Sequence, residues 1–409
     1  MKYYSLAIAM SLWTLSLAAQ ETNTTDSTLV KLVDELKILK KIKVSGYLQA
    51  QYQRAQEKGI KYPGGDFGAQ VDNRFSMRRA RLKVAYDAKP FEWVLVTENT
   101  ERGISLHDIY GSYTYAPLHL KYTAGLFPRP FGFEQSYSTA NHEGPERARF
   151  STTMLPAEAD LGMKLSYSGI KPLQFELGAY NGTATAADFD SFKDWVARIS
   201  FQKNIQEFHI SGGVSYYEGG VYQGNSKRYE VTSDLPVFVL ADSLVFSKGS
   251  KLKRQYLGAD VQLSFKNPLG QTTFRAEWIQ GTQPGTSSSS DSPKSNTLPA
   301  GDSYLRNFNA FCGYFLQKLG SSNWMLVVKY DWYDPNTDIK ENELGAANSG
   351  TTATDVQFNT LGLGLNYYYK NMYFMLYYDM IKNETTNQLS GYHEDIKDNV
   401  LTIRTQFKF

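Results

Sequence analysis

The 409 residues are 42% hydrophobic, 14% aromatic and 21% charged, with a mean hydropathy of -0.42. A formal net charge of +2 demands no polyanionic partner such as nucleic acid, and a single cysteine, Cys312, excludes an intramolecular disulfide and a cysteine metal cluster. The average hydropathy suits a soluble protein, and equally a transmembrane β-barrel, in which only alternate residues meet lipid; 29 Tyr, 23 Phe and 6 Trp exceed the needs of a core and favour the barrel, which collects aromatics in interfacial girdles.

In chain order, Met1 and Lys2 precede an apolar run from Leu6 to Leu17 and the small residues Ala18 and Ala19, the pattern of a cleaved export signal over 1–19. The run is shorter than the roughly 20 residues that a spanning helix needs. Residues 20–27 read as a polar flexible segment. Over 28–41, Leu29, Leu32, Leu36 and Leu39 take a/d spacing, which predicts either a short helix that caps the barrel or a small coiled coil that gathers subunits in the periplasm.

From Ile42 to Phe409 the period is two. Strands are expected near 43–54, 74–88, 91–101, 104–116, 118–127, 159–169, 172–182, 192–202, 207–218, 254–266, 271–281, 304–317, 323–334, 356–369, 372–383 and 399–409, about sixteen in all. Their connections alternate between tight and long. Lys89-Pro90, Ala116-Pro117, Ile170-Lys171-Pro172, Asn267-Pro268-Leu269-Gly270 and Lys370-Asn371 are turn-sized. Residues 55–73, 128–158, 219–253, 282–303, 335–355 and 384–398 form long connections. Short periplasmic turns opposite long external loops are the pattern of a bacterial outer-membrane barrel. The fold expected is therefore all-β: a 16-stranded antiparallel transmembrane barrel with a short N-terminal periplasmic helix.

Alternation also assigns faces. Leu161, Met163, Leu165 and Tyr167 oppose Asp160, Gly162, Lys164, Ser166 and Ser168, and only the first set suits lipid. By the same parity Arg79, Arg81 and Lys83 form an inward basic column, joined in the lumen by Lys121, Lys164, Arg198, Arg275, Lys329, Arg404 and Lys408. Glu98, Glu176, Asp260, Glu277, Asp331 and Asp379 face inward too, so the lumen is mixed with a basic excess. The column either braces the wall against carboxylates such as Glu98 or guides anions by its summed field, and the two roles are compatible.

Val44 to Gln49, the run Phe75-Ser76-Met77-Arg78-Arg79-Ala80-Arg81-Leu82-Lys83-Val84, and Ala124 to Glu134 with its Pro128-Arg129-Pro130-Phe131-Gly132 core resemble the phosphate-selective porin O and P family. Asp160-Leu161-Gly162 and Gly178 to Gly182 extend the resemblance. It implies a homotrimeric channel in the outer membrane of a Gram-negative bacterium, narrowed by an infolded third loop, with inward arginines and lysines attracting small anions, phosphate or polyphosphate among them. Here that loop, 128–158, carries Arg129, Arg147 and Arg149 beside Glu143, Glu146 and Glu158. Guanidinium suits phosphate because its planar fork donates two parallel hydrogen bonds. The lumen acids dilute the basic excess, which points to a weak to moderate anion preference.

Five scattered histidines offer no metal-ligand spacing, and no phosphate-cradling or dinucleotide motif is present, so neither enzyme, metal nor cofactor is expected. Ser105 and His107 share a strand face, a spacing common by chance. The alternative to a porin is a non-conducting barrel that anchors or adheres. The apolar run Leu235 to Leu240, unusual for an external loop, forms an extra hairpin, folds inward or meets a partner.

Overall fold

The computed structural model describes residues 39–155, 157–225, 227–232, 235–241, 248–293 and 301–409. The expected export signal and nearly all of the expected 28–41 helix lie outside these. Sixteen antiparallel strands close into a barrel. The first nine are β1 (Ile42–Ala55), β2 (Asn73–Ala88), β3 (Phe91–Thr100), β4 (Gly103–Tyr115), β5 (Leu120–Pro128), β6 (Ala159–Tyr167), β7 (Leu173–Tyr180), β8 (Asp194–Ile205) and β9 (Phe208–Tyr222). After a hairpin of β10 (Arg228–Thr232) and β11 (Leu235–Leu240), the wall continues with β12 (Lys251–Asn267), β13 (Gly270–Gly285), β14 (Ser303–Leu319), β15 (Trp324–Asp334), β16 (Phe358–Tyr369), β17 (Met372–Asn383) and β18 (Val400–Lys408). Closure comes from β1, which pairs with β2 on one side and, from Tyr47↔Lys408 to Ala55↔Val400, with β18 on the other. No open edge is left to the bilayer, which a sheet in hydrocarbon requires.

The outward face follows the sequence alternation: Leu161, Met163, Leu165, Leu361, Leu363, Leu365 and Ile403 are exposed, whereas Asp160, Asn366, Thr402 and Arg404 are buried inside. Aromatic pairs mark both rims of this belt. Phe91 with Tyr113, Phe274 with Phe315 and Trp324 with Tyr367 lie toward the tight turns, and Tyr52 with Phe75 and Phe311 with Trp332 toward the loops. The turns are compact for local reasons. At Gly270, φ is +125° and a Cβ would fall 2.1 Å from the Lys318 carbonyl oxygen, so glycine alone fits this join of β12 to β13.

The core sits inside the barrel and to one side. Phe131, Ala148, Phe150, Met154 and Leu155 of the third loop pack on Tyr217, Tyr256, Ile279, Phe308, Ala310, Cys312, Tyr314, Tyr373 and Tyr377 of the β9 and β12–β17 wall. The first loop also turns inward, where Ile60, Tyr62 and Phe67 join Ile381 and Val400. The apolar run after Thr232 resolves as the β10–β11 hairpin; it folds onto the mouth, β10 pairing in parallel with Ser303–Leu305 and Phe238 packing edge-on against Tyr304. Free space remains against the opposite wall, where a cavity of about 720 Å³ is lined by Tyr110, Ser112, Lys121, Thr123, Lys164 and Arg198 with Arg129 and Ser136 of the third loop above.

Candidate pore constriction

The third loop, 129–158, is steered inward at its first residues. Arg129, fully buried, donates from Nη2 to Asp160 Oδ2 at 2.7 Å and from Nη1 to the Ala157 carbonyl at 2.7 Å, tying the loop's entrance to its exit. Gly132 then turns the chain at φ +64°, where a Cβ would come within 1.9 Å of Glu277 Oε1. Only glycine lets Glu277 reach the Phe133 and Glu134 amides, which donate to its Oε2 at 2.9 and 2.6 Å. Glu134 in turn accepts from the Ala148 amide and the Tyr314 hydroxyl, both at 2.8 Å, closing the loop on itself and on β14.

Three loop carboxylates then bind the wall. Glu143 takes a bidentate pair from Arg275 at 2.6 and 3.0 Å. Glu146 accepts from Arg78 Nε and Nη2, both at 2.7 Å, from Arg404 at 3.0 Å and from Arg79 at 3.3 Å. Burial alone would raise the Glu146 carboxyl; Arg78, Arg79 and Arg404 instead hold it well below the usual carboxylate range. Glu158 meets Arg147 at 2.5 Å, Arg81 at 3.2 Å and His107 Nε2 at 2.9 Å. Burial opposes its charge too, and Arg147, Arg81 and His107 outweigh it. His142, by contrast, is pushed well below the usual histidine range by burial and by Arg147, Arg79, Lys329 and Arg275, so it stays neutral.

Two β-bulges make this possible. In β2, Gln49 faces Arg79 while the next residue of β1, Ala50, faces Met77, so Arg78 is an extra residue. In β4, Val96 faces Asp108 and Thr97 faces Leu106, so His107 is extra. A bulge lets two consecutive residues share one face. Arg78 with Arg79, and His107 with Asp108, therefore all reach inward, while Phe75, Met77, Leu106 and Ile109 remain outside.

The other basic residues expected at the site are distributed around the wall. Arg81 donates to Glu98 at 2.7 Å as well as to Glu158. Lys121 pairs with Glu92 at 2.7 Å, Lys164 with Glu176 at 2.7 Å, and Arg198 with Asp260 at 2.6 Å and the Ser215 hydroxyl at 2.8 Å. Arg147 also donates to the carbonyls of Glu134 and Tyr137. Arg149 lies over the Phe358 ring at 4.0 Å with Nε and Nη2 buried and without a hydrogen-bond partner; burial lowers its guanidinium pKa, and Asp398 and Asp331 oppose that. Lys83 keeps inward parity and is exposed, with no ion pair among the described residues. Thus Arg78, Arg79, Arg81, Arg147 and Arg404 gather at the constriction, Lys121, Lys164, Arg129 and Arg198 line the cavity, and Arg149 stands apart. Sequence parity passed over Arg78 and His107; the signal for both was a pair of adjacent polar residues inside an otherwise alternating strand.

No protein family and no curated relative matches the chain. In fold it is similar to OprB of Pseudomonas putida, at 8% identity and a TM-score of 0.58 over 92% of this chain and 96% of that one. It is similar to the outer-membrane channel DcaP of Acinetobacter baumannii, at 12% identity and a TM-score of 0.54 over 90% and 97%. An anion-selective porin from Comamonas acidovorans matches at 10% identity and a TM-score of 0.51 over 90% and 99%. At such identities the likeness is one of fold. The closed barrel, its apolar belt and its two aromatic rims make the chain an outer-membrane protein of a Gram-negative cell.

Proposed function

We propose that the chain is a passive porin for small hydrophilic solutes, with a weak preference for anions. The observation that carries this reading is the third loop, folded into the lumen and fastened by Glu143, Glu146 and Glu158, with a charged cavity left open against β4–β8. A loop held by so many directed contacts narrows a channel without filling it. The preference is weak because most of the cations are answered. Five arginines, Arg78, Arg79, Arg81, Arg147 and Arg404, stand against four carboxylates, Glu98, Glu146, Glu158 and Asp108, with Lys83 adding one unopposed charge. Phosphate passes as one anion among others. The guanidinium forks that would grip it are taken, Arg78 by Glu146 and Arg275 by Glu143. The likeness in fold to an anion-selective porin is consistent with this direction.

A homotrimer assembled through the β1–β4 side is the proposed oligomer. The shortest join on the loop side, residues 101–102, lies there, and Phe75 and Ile104, 85% and 80% exposed, project outward beside it. Native mass measurement in detergent tests this assembly. The function is tested by reversal potential in a planar bilayer under a salt gradient. A mildly anion-biased potential is expected, and Arg79→Glu with Arg81→Glu should shift it toward cations; phosphate should carry current without blocking it. A folded barrel that conducts nothing would overturn the porin reading in favour of an anchoring or adhesive role.

A further inference from the structure

His107 occupies an unusual place for a pore-wall histidine. It is the extra residue of the β4 bulge, so its ring and the carboxylate of the next residue, Asp108, share the lumen face. Its Nδ1 lies 2.9 Å from Asp108 Oδ1 and its Nε2 2.9 Å from Glu158 Oε2. A neutral imidazole has one N–H and satisfies one of these carboxylates; the imidazolium donates to both. The ring is not fully buried, with 14% of its side chain exposed on the lumen side, so a proton can reach it from water there.

We infer that His107 is a proton-dependent selectivity residue at the rim of the constriction. The charged groups that face it are Asp108 on its own strand, Arg81 from β2, Glu98 from β3 through Arg81, and Glu158 and Arg147 from the third loop. With a neutral ring this cluster holds two guanidiniums and three carboxylates, a net charge of minus one. With an imidazolium it is balanced. The adjoining Glu146 cluster holds Arg78, Arg79 and Arg404 against one carboxylate and does not change with the His107 proton. Acidification through the histidine range therefore neutralises this negative patch and leaves the positive Glu146 cluster beside it, and anion preference rises. This rests on the porin reading and extends it from a fixed to a pH-set selectivity.

The expected size follows from one unit charge roughly 7 Å from a hydrated ion at water's dielectric, reduced by screening at 0.1 M salt: about threefold in the anion-to-cation permeability ratio. The experiment measures reversal potential of the full chain in planar bilayers from pH 10 to pH 5, for wild type, His107→Gln and His107→Arg. The wild type should gain about threefold in anion preference on acidification. His107→Gln should lose that step, and His107→Arg should show the acid value throughout. Asp398, which burial pushes up to about 6, titrates in the same window but at the external loops, so its contribution persists in both variants and cancels in the comparison. If His107→Gln keeps the full step, or His107→Arg still titrates like wild type, the inference is wrong while the porin reading stands. If wild type conducts at no pH, both fall together.

Discussion

Replacing Glu146 by Gln tests whether the third loop is fastened as the contacts indicate. Glu146 is buried and receives hydrogen bonds from three guanidiniums, the bidentate pair from Arg78 at 2.7 Å and single bonds from Arg404 at 3.0 Å and Arg79 at 3.3 Å. The amide keeps an acceptor and loses the charge, leaving the buried Arg79 and Arg404 and the partly buried Arg78 with no carboxylate. Removing one partner of a buried ion pair costs about 3–5 kcal/mol, and here the loop's own seat on the wall bears that cost. Two results are expected in bilayer recordings: noisier, larger unitary conductance as the loop loosens, and an anion-to-cation permeability ratio raised by about threefold, the effect of one lumen charge under screening. The carboxyl's depressed folded value also fixes the pH response. Stability from such a group is fully present above its unfolded value of about 4.3 and is lost only as pH falls toward the folded one, so the Glu146 tether should hold unchanged between pH 8 and pH 5. A Glu146→Gln channel with wild-type conductance, noise and reversal potential would refute the tether.

Lys83 and Arg129 should behave oppositely, although both are basic residues at the expected site. Lys83→Gln removes an exposed, unpaired lumen charge and should move the reversal potential toward cations with no loss of folded barrel by heat-modified gel mobility. Arg129→Gln strands Asp160, which is fully buried, and should reduce the yield of folded barrel, with a cost of about 3–5 kcal/mol. Gly132→Ala should dislodge the loop entrance, since its Cβ would meet Glu277 Oε1; conductance noise like that of Glu146→Gln is the expected readout, and a quiet wild-type channel would count against the Glu277 anchor.

The strands and their sidedness were legible because lipid imposes a strong rule on every second residue, and the turn residues Pro, Gly and Asn mark where the rule pauses. The sixteen expected strands coincide with the sixteen that close the barrel. The constriction was less legible, since strict alternation cannot register an inserted residue. Counting by two from Arg79 sends Arg78 outward, and counting from Ser105 sends Asp108 outward, whereas both are held in the lumen by bulges. The sequence did contain the clue. An arginine facing the bilayer midplane costs about 2–4 kcal/mol, so an Arg-Arg doublet within an alternating strand is itself an argument for a bulge. The partners of the third loop were out of reach for a different reason: Glu143 with Arg275 and Glu146 with Arg404 join residues more than a hundred positions apart, and no local pattern links them.

This bears on how charge in the lumen should be interpreted. A loop folded into a polar barrel has little apolar surface to bury on the passage side, so it must be fixed there by ion pairs, and a buried ion is tolerated only when paired. Arginines that perform this fastening contribute little net field, however many line the wall. Arg78, Arg79, Arg81 and Arg404 would suggest a strongly anion-selective pore if counted alone; paired with Glu146, Glu98 and Glu158, they leave a small surplus. Selectivity then depends on the few groups outside this balance. Lys83 is one because it has no partner among the described residues, and His107 is another because its charge changes with pH. Substitutions at these two positions should move the reversal potential while sparing the fold, whereas substitutions among the paired arginines should disturb both, and that separation distinguishes a residual-charge pore from one governed by its full basic column.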